Sequence, residues 1–246
     1  MASTRGSSRL AERLRAARGA MEELPREATV TSVAPTRDQT GRVTIGVGRV
    51  RVGPIDALTA HELGIREGCV LDGAARGALV EAVETQLARQ DAIRLIRARA
   101  RSARELMDRL ALKGHSRAAA RNAVDRLVRA GVVDDETLAS NTAQRLASRR
   151  DLSPRAAEIR LRARGIEAST ARRAAEGAFQ GTDLEEQALG LARKRLRTIP
   201  SGTDPRAAAR RVLGYLARRG YDHETCRRAV EQAMRSATNS AGEPRR

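Results

Sequence analysis

The feature that most limits what this chain can become is an internal repeat in its carboxy-terminal two thirds. Aligning Gly114, Gly165 and Gly220 brings Leu110, Leu161 and Leu216 into register four residues before the glycine, and His115, Ile166 and Tyr221 one residue after it. The match continues with Ala120, Ala171 and Cys226 at six residues after, Ala123, Ala174 and Ala229 at nine, and Val124, Ala175 and Val230 at ten. Self-similarity of this kind marks stacked supersecondary units, each burying its apolar face against a neighbour. The spacings, 51 residues from Gly114 to Gly165 and 55 from Gly165 to Gly220, leave room for three helices per unit.

The best-preserved copy, Ser102 to Asp135, gives the local rules. Ser102-x-x-Glu105 is a capping box, in which the serine oxygen accepts from a free first-turn N–H and the glutamate reaches back to the cap. Ala103, Leu106 and Leu110 share one helical face, and Gly114 ends the helix in a left-handed conformation. Ser116 caps a second helix whose apolar stripe is Ala120, Ala123, Val124, Leu127 and Val128, closed by Gly131. The pairs Ser153-Pro154 and Asp204-Pro205 open the corresponding helices of the other copies, with proline placed where its missing N–H costs nothing. A helical pattern from Ala74 to Ala100, carrying Leu79, Val83, Leu87, Ala92, Leu95 and Ile96, precedes the first copy, and Asp183 to Ile199 supplies the first helix of the third. The acids Asp134, Asp135 and Glu136 open a helix that Arg145, Arg149 and Arg150 close, the polarity a helix dipole favours.

The amino-terminal part reads differently. Ala28 to Val33, Gly41 to Val47 and Arg49 to Val52 alternate β-branched residues between turn glycines and predict a small antiparallel sheet. Pro54 to Leu63 reads as a short helix and Gly68 to Leu71 as a last short strand. The glycines at 46, 48 and 53 do not form a phosphate loop, because no Gly-Lys-Ser/Thr follows and they lie within strand-like alternation. The expected fold is thus mainly α: three tandem three-helix repeats, elongated and curved, preceded by a small β-rich segment. Its divisions are a disordered basic arm (1–27), the β-rich segment (28–72), repeats at 73–131, 132–182 and 183–235, and a disordered tail (236–246). The arm carries Leu10, Leu14 and Ala17 at helical spacing, but Glu12, Glu22 and Glu23 are wrong for a transit peptide.

Composition narrows the partners. With no Trp, one Phe and two Tyr, the core must be built from Ala, Leu, Val and Ile, which favours closely packed helices. A formal net charge of +17 from 47 Lys and Arg against 30 Asp and Glu predicts attraction to a polyanion. Cys69 and Cys226 are far apart and lack ligand spacing, so neither a disulfide framework nor a zinc site is indicated, and a cytoplasmic location is expected. No apolar run approaches the length of about 20 residues that spans a bilayer.

Ser102-x-x-Glu105-Leu106-x-x-x-Leu110-x-x-Lys113-Gly114, then Gly131-Val-Val-Asp134-Asp135 and two degenerate copies, resembles the RecX family, regulators of the bacterial recombinase RecA. The resemblance covers roughly Ala28 to Met234, since some members carry a small β-rich segment ahead of the repeats. It implies a non-enzymatic protein that lies in the groove of the RecA filament on DNA, inhibits recombinase and ATPase activity and limits filament growth in homologous recombination and the SOS response. The chain departs from the family pattern at Val132, Leu138 and His115, where aromatic residues are common, which implies a thinner core there. No cofactor, metal, membrane or small-molecule substrate is implied, and a monomer is expected of a repeat body that uses its whole concave face.

Candidate contacts to DNA phosphates or to acidic recombinase surface are the basic residues of the repeats. They are Arg104, Arg109, Lys113, Arg117 and Arg121 in the first; Arg155, Arg160, Arg162 and Arg164 in the second; and Arg193, Lys194, Arg195, Arg210, Arg211, Arg218 and Arg219 in the third. Three other readings compete. A helix-turn-helix-like DNA-binding protein without a RecA partner would concentrate its basic residues on one recognition helix, whereas here they are spread over three units. A general single-strand binder would have only Phe179, Tyr215 and Tyr221 to stack on bases. An enzyme would need more than His61, His115 and His223, which lie on separate elements with no nucleophile beside them and read as turn or cap residues. Asp134 and Asp135 read as helix caps, since adjacent carboxylates at a helix start do not face each other across a substrate.

Overall fold

The computed structural model describes residues 19, 21–25, 27–37 and 41–241; the rest of the arm and the chain after Ala241 lie outside the described residues. Contacts divide the chain into two compact units, parted between Asp134 and Asp135.

Among the described residues of the first unit, β-branched alternation produces five strands: β1 (Ala28–Thr29), β2 (Ser32–Pro35), β3 (Arg42–Val47), β4 (Val50–Asp56) and β5 (Val70–Leu71). The order is β2-β3-β4, antiparallel throughout, with Val33 opposite Ile45 and Val47 opposite Val50; β1 and β5 pair separately through Ala28 and Leu71. Strand β4 runs four residues beyond the expected Val52, because β3 continues beneath it and pairs Val43 with Ile55 and Arg42 with Asp56. Pro54 therefore sits in the strand, and the short helix α1 (Ala57–Glu62) starts later, capped by Asp56 through the N–H of Leu58. Ile45 and Ile55 are fully buried, and Val30, Val47, Val52 and Leu71 join them.

Helix α2 (Gly73–Ala98) joins the sheet to the first repeat. Its 26 residues rise about 39 Å at 1.5 Å each. Leu79, Val83 and Leu87 pack into the core of the β-rich segment, while Ala88 and Ala92 belong to the core of the repeat. The two divisions expected from the sequence thus share one helix and fold as one body. Arg76 of α2 donates to the carbonyls of Leu71 and Leu24 at 3.0 Å each, and also to those of Met21 and Pro25. Met21 is itself buried in the sheet core, so the packed body takes in part of what reads from sequence as a loose arm.

The repeat is completed by α3 (Ala103–Leu112) and α4 (Arg117–Arg129), both capped as the sequence predicts. Glu105 N donates to Ser102 Oγ at 3.0 Å and Ser102 N to Glu105 Oε2 at 3.3 Å; Ala119 N donates to Ser116 Oγ at 3.2 Å. Their core is Leu106, Leu110, Ala119, Ala120, Ala123, Val124 and Leu127. Val128, expected in this stripe, is 45% exposed. At about 100° per residue it lies some 40° past Val124 on the side away from Leu127, next to Arg121.

The second unit holds α5 (Asp135–Ala147), α6 (Pro154–Ala163) and α7 (Ala168–Ala178), followed by α8 (Leu184–Leu196), α9 (Pro205–Ala217) and α10 (His223–Ala241). Helix α10 continues six residues into the expected tail. Ser153 and Asp204 cap α6 and α9. From glycine to the next such cap the count is 39 residues both times, Gly114 to Ser153 and Gly165 to Asp204. From cap to glycine it is 12 residues in the first two repeats and 16 in the third, so the longer second period is one extra turn at the start of α9. Leu110, Leu161 and Leu216 are all 0% exposed. Truncating any of them to Ala costs about 2–5 kcal/mol.

Candidate nucleic-acid and partner interface

The repeat register sorts the basic residues into those the fold uses and those it leaves to solvent. Immediately before the repeat glycine stand Lys113, Arg164 and Arg219. Lys113 Nζ lies 3.5 Å from Asp91 Oδ1 on α2, and Arg164 Nη1 donates at 3.1 Å to Thr142 Oγ1 on α5. Asp91 and Thr142 are 51 residues apart, as are Lys113 and Arg164, so the same contact, middle-helix end to first helix, is made twice. These two cations, expected to reach a partner, are held by their own repeats.

Asp91 is a buried cluster that the sequence reading missed. Its carboxylate accepts from Arg94 Nη1 at 3.0 Å and lies 3.1 Å from His115 Nε2. The hydrogen bond from His115 holds the Asp91 carboxyl below its ordinary range against the opposing effect of burial, and the charges of Lys113 and Arg94 add to it. His115 stands in the turn between α3 and α4, where its N–H donates to the Leu110 carbonyl at 3.1 Å, and its side chain, 5% exposed, is also the polar member of a core position occupied by Ile166 and Tyr221 in the other repeats. That equivalence was the signal available in the sequence: a buried imidazole needs a partner. His61 and His223 are exposed at helix ends.

Two residues after the caps of α3 and α6, and at the matching position of α9, the pattern is different. Arg104, Arg155 and Arg210 occupy one repeat position, separated by 51 and 55 residues, and all are exposed. Among the described residues none of the three makes an ion pair. Arg109 and Arg160 share a second position and are also exposed; the third repeat has Tyr215 there. Arg117, Arg121, Lys194, Arg211 and Arg218 are exposed, and Arg193, Arg195 and Arg219 half-buried. Arg162 is exposed but lies 3.8 Å from Glu158. Elsewhere arginines are neutralised locally: Arg227 bridges Glu224 and Glu231 at 2.8 and 2.7 Å, Arg228 reaches Glu185 at 3.0 Å, and Arg173 reaches Glu136 at 3.0 Å.

The aromatic side chains are committed. Phe179 and Tyr221 are 5% and 6% exposed, and burial pushes the Tyr221 hydroxyl up to about 12. The ring of Tyr215 is covered by the Arg219 guanidinium at 3.6 Å. Base stacking of the single-strand-binder kind is closed to Phe179 and Tyr221. In the first unit an open groove of about 730 Å³ runs beside the Asp56–Arg89 ion pair of 3.2 Å, with Leu58, Ile93 and Val132 on its walls. Among the described residues no group of three or more His, Cys, Asp or Glu is placed to hold a metal ion, and no helix is long and apolar enough to cross a membrane.

A family model for the first three-helix domain of RecX matches residues 88–127, and one for the third three-helix domain of RecX matches residues 183–230. The first match begins at the residue where α2 passes from the sheet core to the repeat core. Among curated proteins, the regulatory protein RecX of Amycolatopsis mediterranei is 32% identical over 141 residues, 57% of this chain and 79% of that protein. The regulatory protein RecX of Mycobacterium tuberculosis is 34% identical over 137 residues, 54% of this chain and 78% of that protein. Among solved structures, a crystal structure of regulatory protein RecX superposes with a TM-score of 0.65 at 18% identity, covering 80% of this chain and 96% of that one. A crystal structure of RecX from Lactobacillus salivarius gives 0.52 at 15% identity, covering 61% and 96%. At these identities the two structures speak to the shared fold.

Proposed function

This chain belongs to the RecX family of regulatory proteins, and from that premise we propose that it binds the filament RecA forms on DNA and restrains its recombinase and ATPase activity. It acts without catalysis of its own, as a cytoplasmic monomer serving homologous recombination and the SOS response. The observation that carries this reading is the recurrence of an exposed, unpaired arginine at one repeat position, Arg104, Arg155 and Arg210. A filament repeats its acidic and phosphate groups along its length, and cations in a matching repeat can neutralise several of them while releasing counterions. The β-rich segment, with five basic and five acidic residues between 28 and 72, adds nothing to the +17 and leaves attraction to the polyanion to the repeats.

The test is RecA-dependent ATP hydrolysis on single-stranded DNA. Added below one molecule per RecA, the protein is expected to slow hydrolysis. Full hydrolysis at equimolar protein, with binding to bare DNA retained, contradicts the proposal and favours a DNA-binding helical-repeat protein without a RecA partner.

A further inference from the structure

The third repeat differs from the others at two adjacent surface positions. Where the first two repeats have Arg109 and Arg160 the third has Tyr215, and the cation before the glycine, tied down in Lys113 and Arg164, is here Arg219 lying flat over that tyrosine. The guanidinium carbon is 3.6 Å from the ring centroid, and that of Arg195 on α8 is 5.6 Å from the same ring. Among the described residues neither arginine pairs with a carboxylate; Arg195 Nη1 donates to Thr198 Oγ1 at 3.1 Å. The Nε of each is buried and has no acceptor. An enclosed Nε is out of reach of an outside anion, which leaves the Arg219 terminal nitrogens, not enclosed and bonded to nothing among the described residues, as the donors open to one.

The backbone beneath is pinned. Arg219 O accepts from Ser153 N at 3.0 Å, and the cap of α6 packs on Gly220 so closely that an added Cβ would lie 2.6 Å from Ser153 Oγ. Arg155 follows that cap by two residues and Arg218 precedes Gly220 by two, so two more exposed cations flank the same corner. A stacked guanidinium keeps its plane and its donors in a fixed fork, losing little freedom when it engages an oxyanion. Several unpaired cations in one corner suit an anion that carries closely spaced charges, as a phosphodiester chain does, better than the isolated carboxylates of a folded protein surface.

We propose that Arg219, stacked on Tyr215 with Arg195 beside it, is a preset fork for a phosphodiester of a DNA strand, at the joint between the second and third repeats. The inference rests on the reading above only in taking DNA as the polyanion. It is tested with the full chain and a fluorescent oligo-dT strand, by anisotropy across a salt series, with RecA absent throughout, so failure here leaves filament binding standing and the reverse also holds. Arg219→Ala is expected to bind about five- to tenfold more weakly and to lower the slope of log K against log salt by about 0.7, one single-strand phosphate. Arg219→Lys keeps the charge and loses affinity, because a lysine does not present the fork. Tyr215→Phe binds like the parent, whereas Tyr215→Leu weakens binding about threefold at unchanged formal charge. Arg227→Ala, whose arginine is held by Glu224 and Glu231, serves as control and is expected to leave binding intact. Parent-like affinity and slope in both Arg219→Ala and Tyr215→Leu, with melting curves confirming folded protein, overturn the proposal. So does an equal loss in Arg227→Ala, or poly-glutamate binding with the same dependence on Arg219.

Discussion

Substituting alanine at the repeat glycines Gly114 and Gly220 separates conformational strain from packing, because the two share a backbone conformation and differ in what surrounds them. Gly114, Gly165 and Gly220 have φ of 94°, 82° and 84°. An alanine in the left-handed region costs about 1–2 kcal/mol at any of them. At Gly114 no described atom stands within 4 Å of the added Cβ, so the cost ends there. At Gly220 the Cβ would come to 2.6 Å from Ser153 Oγ and 2.8 Å from both the nitrogen and the Cβ of Ala156, contacts that real methyl groups do not make. The α6 cap must then retreat, straining or losing the Ser153 N–H to Arg219 carbonyl bond of 3.0 Å. Overpacking of this kind costs about 1–3 kcal/mol and a lost backbone bond about 0.5–1.5 kcal/mol. Gly220→Ala should therefore destabilise the second unit by roughly 3–6 kcal/mol, against roughly 1–2 for Gly114→Ala in the first. Urea unfolding followed by far-UV circular dichroism reads the difference, which at a typical slope of about 2 kcal/mol per M moves the midpoint by about 0.7–2 M more for Gly220→Ala. Equal midpoint shifts in Gly114→Ala and Gly220→Ala would refute the close docking of the second repeat on the third.

Asp91→Ala should cost about 2–4 kcal/mol, because it leaves His115 and Lys113 without their shared partner. The Asp91 carboxyl is held below its usual value of 3.8 in the fold, so its contribution is complete above that value and fades as pH falls through the lower, folded one. The acid limb of the parent's stability profile should accordingly flatten in Asp91→Ala, and an unchanged limb would assign the effect elsewhere. Reversing Arg104, Arg155 and Arg210 to Glu together should weaken binding to DNA-bound RecA filaments and flatten its salt dependence, while reversing the internally held Lys113 and Arg164 should act mainly on stability.

The local signals were legible because each is written in a few adjacent residues. The capping box at Ser102, the Ser153-Pro154 and Asp204-Pro205 helix starts and the left-handed glycines all stand where the sequence predicts. The repeat alignment also found core positions that hydropathy alone would have missed, such as Cys226, 1% exposed at the site of Ala120 and Ala171. What escaped is set by distant partners. Strand β4 extends through Pro54 because β3 lies alongside it, a fact no local pattern carries. Nothing in the composition between Leu87 and Ala88 announces that one helix changes cores there. In the interface, the recurring Arg104, Arg155 and Arg210 could be read from spacing, but the fate of Lys113, Arg164 and Arg219 depended on Asp91, Thr142 and Tyr215, each of which lies on a helix or position whose facing is decided only in three dimensions.

Co-sedimentation with RecA filaments assembled on single-stranded DNA tests the central claim most directly. The parent protein is expected to pellet with the filaments, and the Arg104, Arg155 and Arg210 triple reversal to stay largely in the supernatant at the same salt. Parent protein remaining in the supernatant while the filaments pellet, or a triple reversal that pellets as the parent does, would contradict it.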